Sequence, residues 1–309
     1  MLRQRTIASE VRCTGFGLHT GCVVNLLLRP APAEAGISFR RLDLPASRPI
    51  PARPESVVDT QMATTLGAGP ARVGTVEHLL AALFALGIDN VDVEVDGPEV
   101  PILDGSAAPF IFLLKCAGIV EQSAFKRFLV IRRTVKVRED GRRVALRPSR
   151  QLRMDYTIEF DHPLLSHQSF SFKPAEMDFR KEIARARTFG FLEDVEVMKE
   201  RGLARGGSLE NAVVLDRFRV LNSDGLRYPD EFVRHKILDA MGDLALLGAT
   251  VIGRFEAFRS GHLLNNRLVQ RLLADRSAWE IHEVRDPDER DELPFLTPTW
   301  QGPTPVPAG

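Results

Sequence analysis

Nine consecutive residues constrain this chain more than any others: His235-Lys236-Ile237-Leu238-Asp239-Ala240-Met241-Gly242-Asp243. The apolar spacing here and onward through Leu247 predicts a helix over 232–247. Ile237, Leu238, Met241, Leu244 and Leu246 cover much of its circumference, so the helix is expected to be buried. His235 and Asp239 lie four residues apart and stack on one helical face, with Asp243 a further turn along. On its own, that spacing ordinarily describes a solvated or salt-bridged helix. Burial changes the question, because ionisable groups on a buried helix need partners, and metal binding and catalysis are two ways of finding them. Imidazole and carboxylate are both zinc ligands, and a catalytic zinc takes three protein ligands with one position left open. This stretch supplies two.

The best candidate for a third lies in Gly74-Thr75-Val76-Glu77-His78-Leu79-Leu80-Ala81-Ala82-Leu83-Phe84-Ala85-Leu86-Gly87. Thr75 is a fair N-cap and Gly87 a good C-terminal stop for a helix that is apolar nearly all round. It opens on two ionisable neighbours, Glu77 and His78. Adjacent helical positions diverge by roughly 100°, so the pair can flank one point without competing for one direction. The plainer alternative is a first-turn Glu favoured by the helix dipole beside a satisfied core His.

These pieces assemble into one chemistry. His78, His235 and Asp239 form a His2Asp set with a fourth position open to water. Zinc would acidify that water and polarise a carbonyl, which serves hydrolysis. Glu77 could act as general base. Gly261-His262 places a histidine in a glycine-opened turn, where it could protonate a leaving amine with Asp243 or another carboxylate holding it charged. Thr188, after a basic run, could bond a developing oxyanion.

Bulk properties bound the rest. A chain of 309 residues suits one large domain or two ordinary ones. Lys plus Arg and Asp plus Glu both number 41, so no global charge argues for nucleic acid or an anionic membrane. Met1–Thr14 has no apolar core of signal-peptide type, and no apolar run approaches the roughly 20 residues that span a bilayer. Cys13, Cys22 and Cys116 show no CxxC spacing, and an odd count makes no disulfide framework. They read as buried, inert thiols in a reducing, cytoplasmic compartment.

Strands are expected at 22–28, 37–41, 59–66, 91–95, 128–137, 144–147, 152–160 and 251–258, with further helices at 108–117, 193–201 and 265–275. The two halves echo each other. Leu27-Leu28-Arg29-Pro30 matches Ala145-Leu146-Arg147-Pro148, and Leu83–Gly87 before a strand matches Leu244–Gly248 before a strand. Aligning Gly87 with Gly248 sets His78 opposite Asp239. Such an echo implies two sheet-plus-helix units packed helix layer to helix layer, with the ligands at their interface.

Taken together, GFGLHTG (15–21), TVEHLLAAL (75–83), ILDGSA (102–107), RARTFGF (185–191), GGSLENAVV (206–214), FVRHKILDAMGDLALLG (232–248) and SGHLLNN (260–266) closely resemble the UDP-3-O-acyl-N-acetylglucosamine deacetylases, the zinc amidases that commit lipid A biosynthesis. The resemblance spans residues 1 to about 275. It implies an α+β fold: a two-domain β-α-α-β sandwich with helices packed between two sheets, each domain carrying a small insert. Residues 1–124 would form the first domain, with a small β insert. Residues 125–284 would form the second, with a β-α-β insert making an acyl-chain passage, and 285–309 a weakly ordered proline-rich tail. The resemblance also implies roles: His78, His235 and Asp239 as zinc ligands, Glu77 as base, and His262 as proton donor partnered by Asp243. Thr188 would face the tetrahedral intermediate. Lys236, Phe160 and Arg259 match contacts to the UDP-glucosamine part, and Phe189, Phe191 and 192–205 match the acyl passage. The ligand set also accepts ferrous iron. The expected partner is the small-molecule substrate alone, with no nucleic acid and no stable membrane insertion, and a monomer is expected. The alternative substrate is another acylated nucleotide sugar. Two departures stand out: Phe16 where the family more often has a smaller aliphatic residue, and Arg259 where lysine is frequent, which changes phosphate geometry.

Overall fold

The computed structural model describes residues 2–45 and 47–285. Past Arg285, the expected tail lies outside these residues. Period-two burial organises the first sheet: in Val23–Pro30, Val24, Leu26 and Leu28 face the core while Val23 and Asn25 face out. Its five strands run in the order Val11–Phe16, Val23–Pro30, Val91–Val95, Ile37–Arg41 and Ile50–Pro51. A second five-stranded sheet runs Val135–Glu139, Arg142–Arg147, Arg254–Phe258, Arg153–Ile158 and Gln168–Phe172. The two follow one plan. In each, a late strand inserts at the centre, antiparallel to one neighbour and parallel to the other. The echoed segments Leu27–Pro30 and Ala145–Pro148 fall at the ends of the equivalent second strands, which close at Pro30 and Arg147.

Six helices complete the described chain: α1 Glu77–Leu86, α2 Ala108–Ala117, α3 Phe179–Glu182, α4 Leu192–Glu200, α5 Glu231–Ala245 and α6 His262–Ala274. Helices α1 and α5 pack on each other, and α5 and α6 lie against the inner face of the second sheet. Buried residues of both sheets and of these helices form one continuous core, so the fold is α+β with helices between sheets. Gly242 permits the α1–α5 approach. A Cβ there would stand 2.2 Å from the Glu77 carbonyl oxygen, too close for any other residue.

Two smaller units flank this frame. Val57–Asp59, Thr65–Ala68 and Ala71–Val73 make a three-stranded antiparallel sheet. Phe189–Phe191 and Val213–Leu215 pair in parallel, joined through α4 as a β-α-β unit.

Several expectations need correction. The strand expected over 128–137 is two strands in different sheets, Arg127–Ile131 and Val135–Glu139. The break falls at Arg132 and Arg133, whose N–H groups both donate to the Ala278 carbonyl. The strand expected over 59–66 is interrupted at Met62, which has φ +66°. Helix α6 begins at His262, not 265, so that histidine opens a helix instead of sitting in a turn. Cys22 and Cys116 are exposed and Cys13 half-buried, so the thiols are not uniformly buried. His162 is buried, with Nε2 2.7 Å from the Asp216 carbonyl.

Candidate metal centre and active-site cavity

Helix α5 delivers His235 and Asp239 to one face, as an i, i+4 pair must be. The tight α1–α5 contact sets the N-terminal turn of α1, with Glu77 and His78, against that face. His235 Nε2 stands 3.2 Å and His78 Nε2 3.6 Å from Asp239 Oδ1. The two imidazole rings lie edge to face, centroids 4.9 Å apart. All three residues are at most 4 % exposed.

This trio fits a metal ion on its own geometry. Ligands about 2.1 Å from a tetrahedral metal lie about 3.4 Å apart, close to the N···O separations found here. Asp239 Oδ1 and His78 Nδ1 are buried and have no hydrogen-bond partner among the described residues. An orphaned carboxylate oxygen facing two imidazole nitrogens is costly unless something bridges them. The other Asp239 oxygen takes a 2.7 Å hydrogen bond from Lys236 Nζ. His235 Nδ1 lies 3.0 Å from the Ala186 carbonyl. A carbonyl cannot donate, so Nδ1 carries the proton and Nε2 keeps its lone pair, the arrangement that orients a metal-ligating imidazole.

Electrostatics act in the same direction. Burial holds His235 neutral, with its pKa pulled down to about 3 although Asp239 opposes this. Burial works against ionised Asp239, yet the neighbouring His235 and Lys236 hold it well below the ordinary carboxylate range. His235 and Asp239 are therefore deprotonated where a metal would need them.

A second group stands beside it. Glu77, Asp239 and His262 bring their polar atoms within 4.8 Å of one another. Burial raises Glu77 above the usual carboxylate range, against the pull of His262 and His78. Burial also opposes a charged His262, but Asp243, Glu77 and a hydrogen bond to Asp243 outweigh it and lift the imidazole to about 10. His262 Nδ1 lies 3.0 Å from Asp243 Oδ2, while Nε2 faces Glu77 Oε1 at 3.7 Å. The same ring thus presents one anchored nitrogen and one free to act.

One cavity of about 360 Å³ joins these groups. Glu77, His78, His235, Lys236, Asp239 and His262 line it, as do Thr188 and Phe189. Thr188 is fixed through its backbone, its N–H on the Gly105 carbonyl and its own carbonyl accepting from Val213. Farther along, the wall is apolar and comes from the β-α-β unit: Leu192, Val195, Met198, Leu209, Val214, and then Leu221. Asp243 sits behind His262 and does not line the cavity. Phe160 and Phe191 also lie outside the lining, where Phe160 packs edge-on against Phe189 and Phe191 at 5.9 and 5.6 Å. Arg259 is exposed and lines no part of it.

Two site residues escaped the sequence reading. Thr64 donates its hydroxyl to Asp243 Oδ1 at 2.7 Å and its backbone N–H to Glu77 Oε2 at 3.1 Å, so it couples the two carboxylates. Asn265 donates to Asp243 Oδ2 at 2.9 Å. A helix begun at His262 puts Asn265 on the same face three residues on, a signal lost when the helix is started at 265.

Comparison with known proteins follows the same line. The family model LpxC, UDP-3-O-acyl N-acetylglycosamine deacetylase, matches residues 4–274. The UDP-3-O-acyl-N-acetylglucosamine deacetylase of Thioalkalivibrio sulfidiphilus is 52% identical over 303 residues, covering 96% of this chain and 99% of that one. That of Myxococcus xanthus is 55% identical over 282 residues, covering 91% and 90%. That of Stenotrophomonas maltophilia (strain K279a) is 50% identical over 304 residues, covering 97% and 100%. With a family model matched over nearly its whole length and relatives half identical from end to end, this chain belongs to the UDP-3-O-acyl-N-acetylglucosamine deacetylase family.

Proposed function

We propose that this chain hydrolyses the N-acetyl group of UDP-3-O-(3-hydroxyacyl)-N-acetylglucosamine, releasing acetate and the free 2-amine, the committed step of lipid A biosynthesis. The observation that carries this reading is the convergence of His78, His235 and Asp239 with Glu77 and His262 on one cavity. His78, His235 and Asp239 would hold a zinc ion, with ferrous iron as the other metal the set accepts. Bound there, the metal supplies Lewis acidity to a water and to the acetamide carbonyl.

The protein's own groups do the rest. Glu77, its pKa raised by burial, takes the proton of the attacking water. His262, held cationic, gives a proton from Nε2 to the departing nitrogen. Asp243 anchors the opposite ring nitrogen, and Thr64 and Asn265 fix Asp243 in turn. Thr188, on the cavity wall, serves the oxyanion. Lys236, Phe160 and Arg259 would meet the UDP-glucosamine part, and Phe189, Phe191 and the β-α-β unit the acyl chain. The apolar wall of that unit supports this last assignment. The reading divides the chain at about residue 125, places it in the cytoplasm and takes it as a monomer. No helix among the described residues is long and apolar enough to cross a membrane.

Metal-stripped protein titrated with zinc tests the reading. Deacetylation of the 3-hydroxyacyl substrate should return at about one equivalent. Tight uptake of one zinc without turnover would move the substrate to another acylated nucleotide sugar. Asp243→Asn gives a separate check on His262. Removing the carboxylate that most raises this imidazole favours its neutral form, so proton donation is lost at lower pH. The alkaline limb of kcat/KM should move down by about one to three pH units. A limb that stays in place would remove Asp243 from this role.

A further inference from the structure

The outer faces of the two sheets share a plan and differ in charge. In the first sheet, two outward arginines stand opposite carboxylates: Arg29 faces Asp92 and Arg40 faces Glu94. Arg29 also reaches Glu94 at 3.1 Å. This is the stabilising cross-strand arrangement.

The second sheet does the opposite. Its outward strand positions carry Lys136, Arg138, Arg143, Arg147, Arg153 and Arg254, with Asp155 and Glu256 as the only carboxylates on those strands' outer face. Arginine stands directly opposite arginine three times: Arg138 with Arg143, Arg147 with Arg254, and Arg153 with Arg254. Like charges so placed destabilise a sheet. Arg147, Arg153 and Arg254 share Asp155 and Glu256 among them. Lys136, Arg138 and Arg143 have no ion pair among the described residues, and Arg143 lies over the Phe258 ring at 4.3 Å. Because the first sheet builds the same architecture with paired charges, the fold does not require this surplus.

We propose that the outer face of the second sheet docks on a bilayer leaflet carrying anionic phospholipid headgroups. Three observations favour a leaflet. The cations are spread in two dimensions across four strands, matching an array of phosphodiesters. Most are arginine, whose planar fork suits phosphate oxygens. The face offers no bare aromatic platform on which bases could stack, since Arg143 covers Phe258. Helices α5 and α6 line the inner side of this sheet, so the docked face backs onto the helix layer bearing His235, Asp239 and His262. Docking there would keep the enzyme beside an acyl-bearing substrate, a benefit that rests on the function proposed above, although the docking itself does not.

Co-sedimentation of the full chain with vesicles tests this without any turnover assay. Binding to phosphatidylglycerol mixed into phosphatidylcholine should exceed binding to phosphatidylcholine alone, and should fade as salt rises past about 0.15 M. Each basic residue at such a surface is worth a factor of about five. Lys136→Gln/Arg138→Gln/Arg143→Gln should therefore bind about 100-fold more weakly, with melting no lower than wild type and wild-type turnover of dissolved substrate. The matched triple Arg12→Gln/Arg29→Gln/Arg40→Gln on the first sheet should bind within about twofold of wild type. The proposal is overturned by absence of lipid preference, by equal loss in both triples, or by an unaffected second-sheet triple. It is also overturned if duplex DNA displaces the vesicles.

Discussion

Glu77→Gln is expected to lower kcat by about 10²–10⁴-fold while metal content stays at the wild-type level. The separation follows from geometry. Glu77 lies in the first turn of α1 beside His78, but the group that converges on Asp239 Oδ1 is made by the two imidazoles. Glutamine keeps the size of the side chain and a carbonyl oxygen for the Thr64 N–H, so the loop at 64 has no reason to move. What it lacks is a lone pair basic enough to accept a proton from water. His78→Ala should show the converse, losing metal and activity together. Glu77→Gln also removes one of the carboxylates that keep His262 cationic, so some loss in proton donation adds to the loss of the base. Metal analysis and single-turnover kinetics on the same preparation make the check. A variant with full metal and more than about a tenth of wild-type kcat would exclude Glu77 as the base, since base catalysis alone should be worth at least 10².

Much of this site is legible in one dimension because helices carry it. The i, i+4 spacing of His235 and Asp239 and the adjacency of Glu77 and His78 need only local geometry to interpret. The echo between halves then predicts which faces meet, and the shared sheet order bears out the echo itself. What local pattern cannot carry is pairing over distance. Thr64 reaches Asp243 across 179 residues, and nothing periodic marks a threonine for that role. The segment 128–137 reads in sequence as one strand, yet a carbonyl from residue 278 divides it. Overall charge misleads in a related way. Equal numbers of acidic and basic residues say nothing about place, and the opposition of Arg138 to Arg143 exists only once strand register is known. Register is set by burial of alternate residues and by turn geometry, so it follows from the fold and not from composition.

Removing Arg187 is expected to cost about 3–5 kcal/mol of stability, because it strands a buried carboxylate. Arg187 is 1 % exposed and Glu231 fully buried. The guanidinium reaches Glu231 through Nε at 2.9 Å and donates from Nη2 to the Gly225 carbonyl at 2.7 Å, while the Arg187 backbone N–H also meets Glu231 at 2.9 Å. Glu231 opens α5, one turn before His235. Ala186, next to Arg187, offers the carbonyl that sets the His235 tautomer. The pair thus pins the segment 186–188 to the start of the helix that bears two of the three metal-group residues. Arg187→Met keeps the bulk and leaves buried Glu231 without its countercharge, so it should show the full cost in urea unfolding, a large share of the roughly 5–15 kcal/mol a domain has. Arg187→Met/Glu231→Leu removes both charges and should recover most of the loss, since a buried pair replaced by apolar groups is often neutral. The double variant should still bind metal about 10–100-fold more weakly, because the carbonyl that orients His235 is no longer held. If the single variant lost under about 1 kcal/mol, the pair would be a bystander, and the orientation of His235 would have to come from the α1–α5 contact alone.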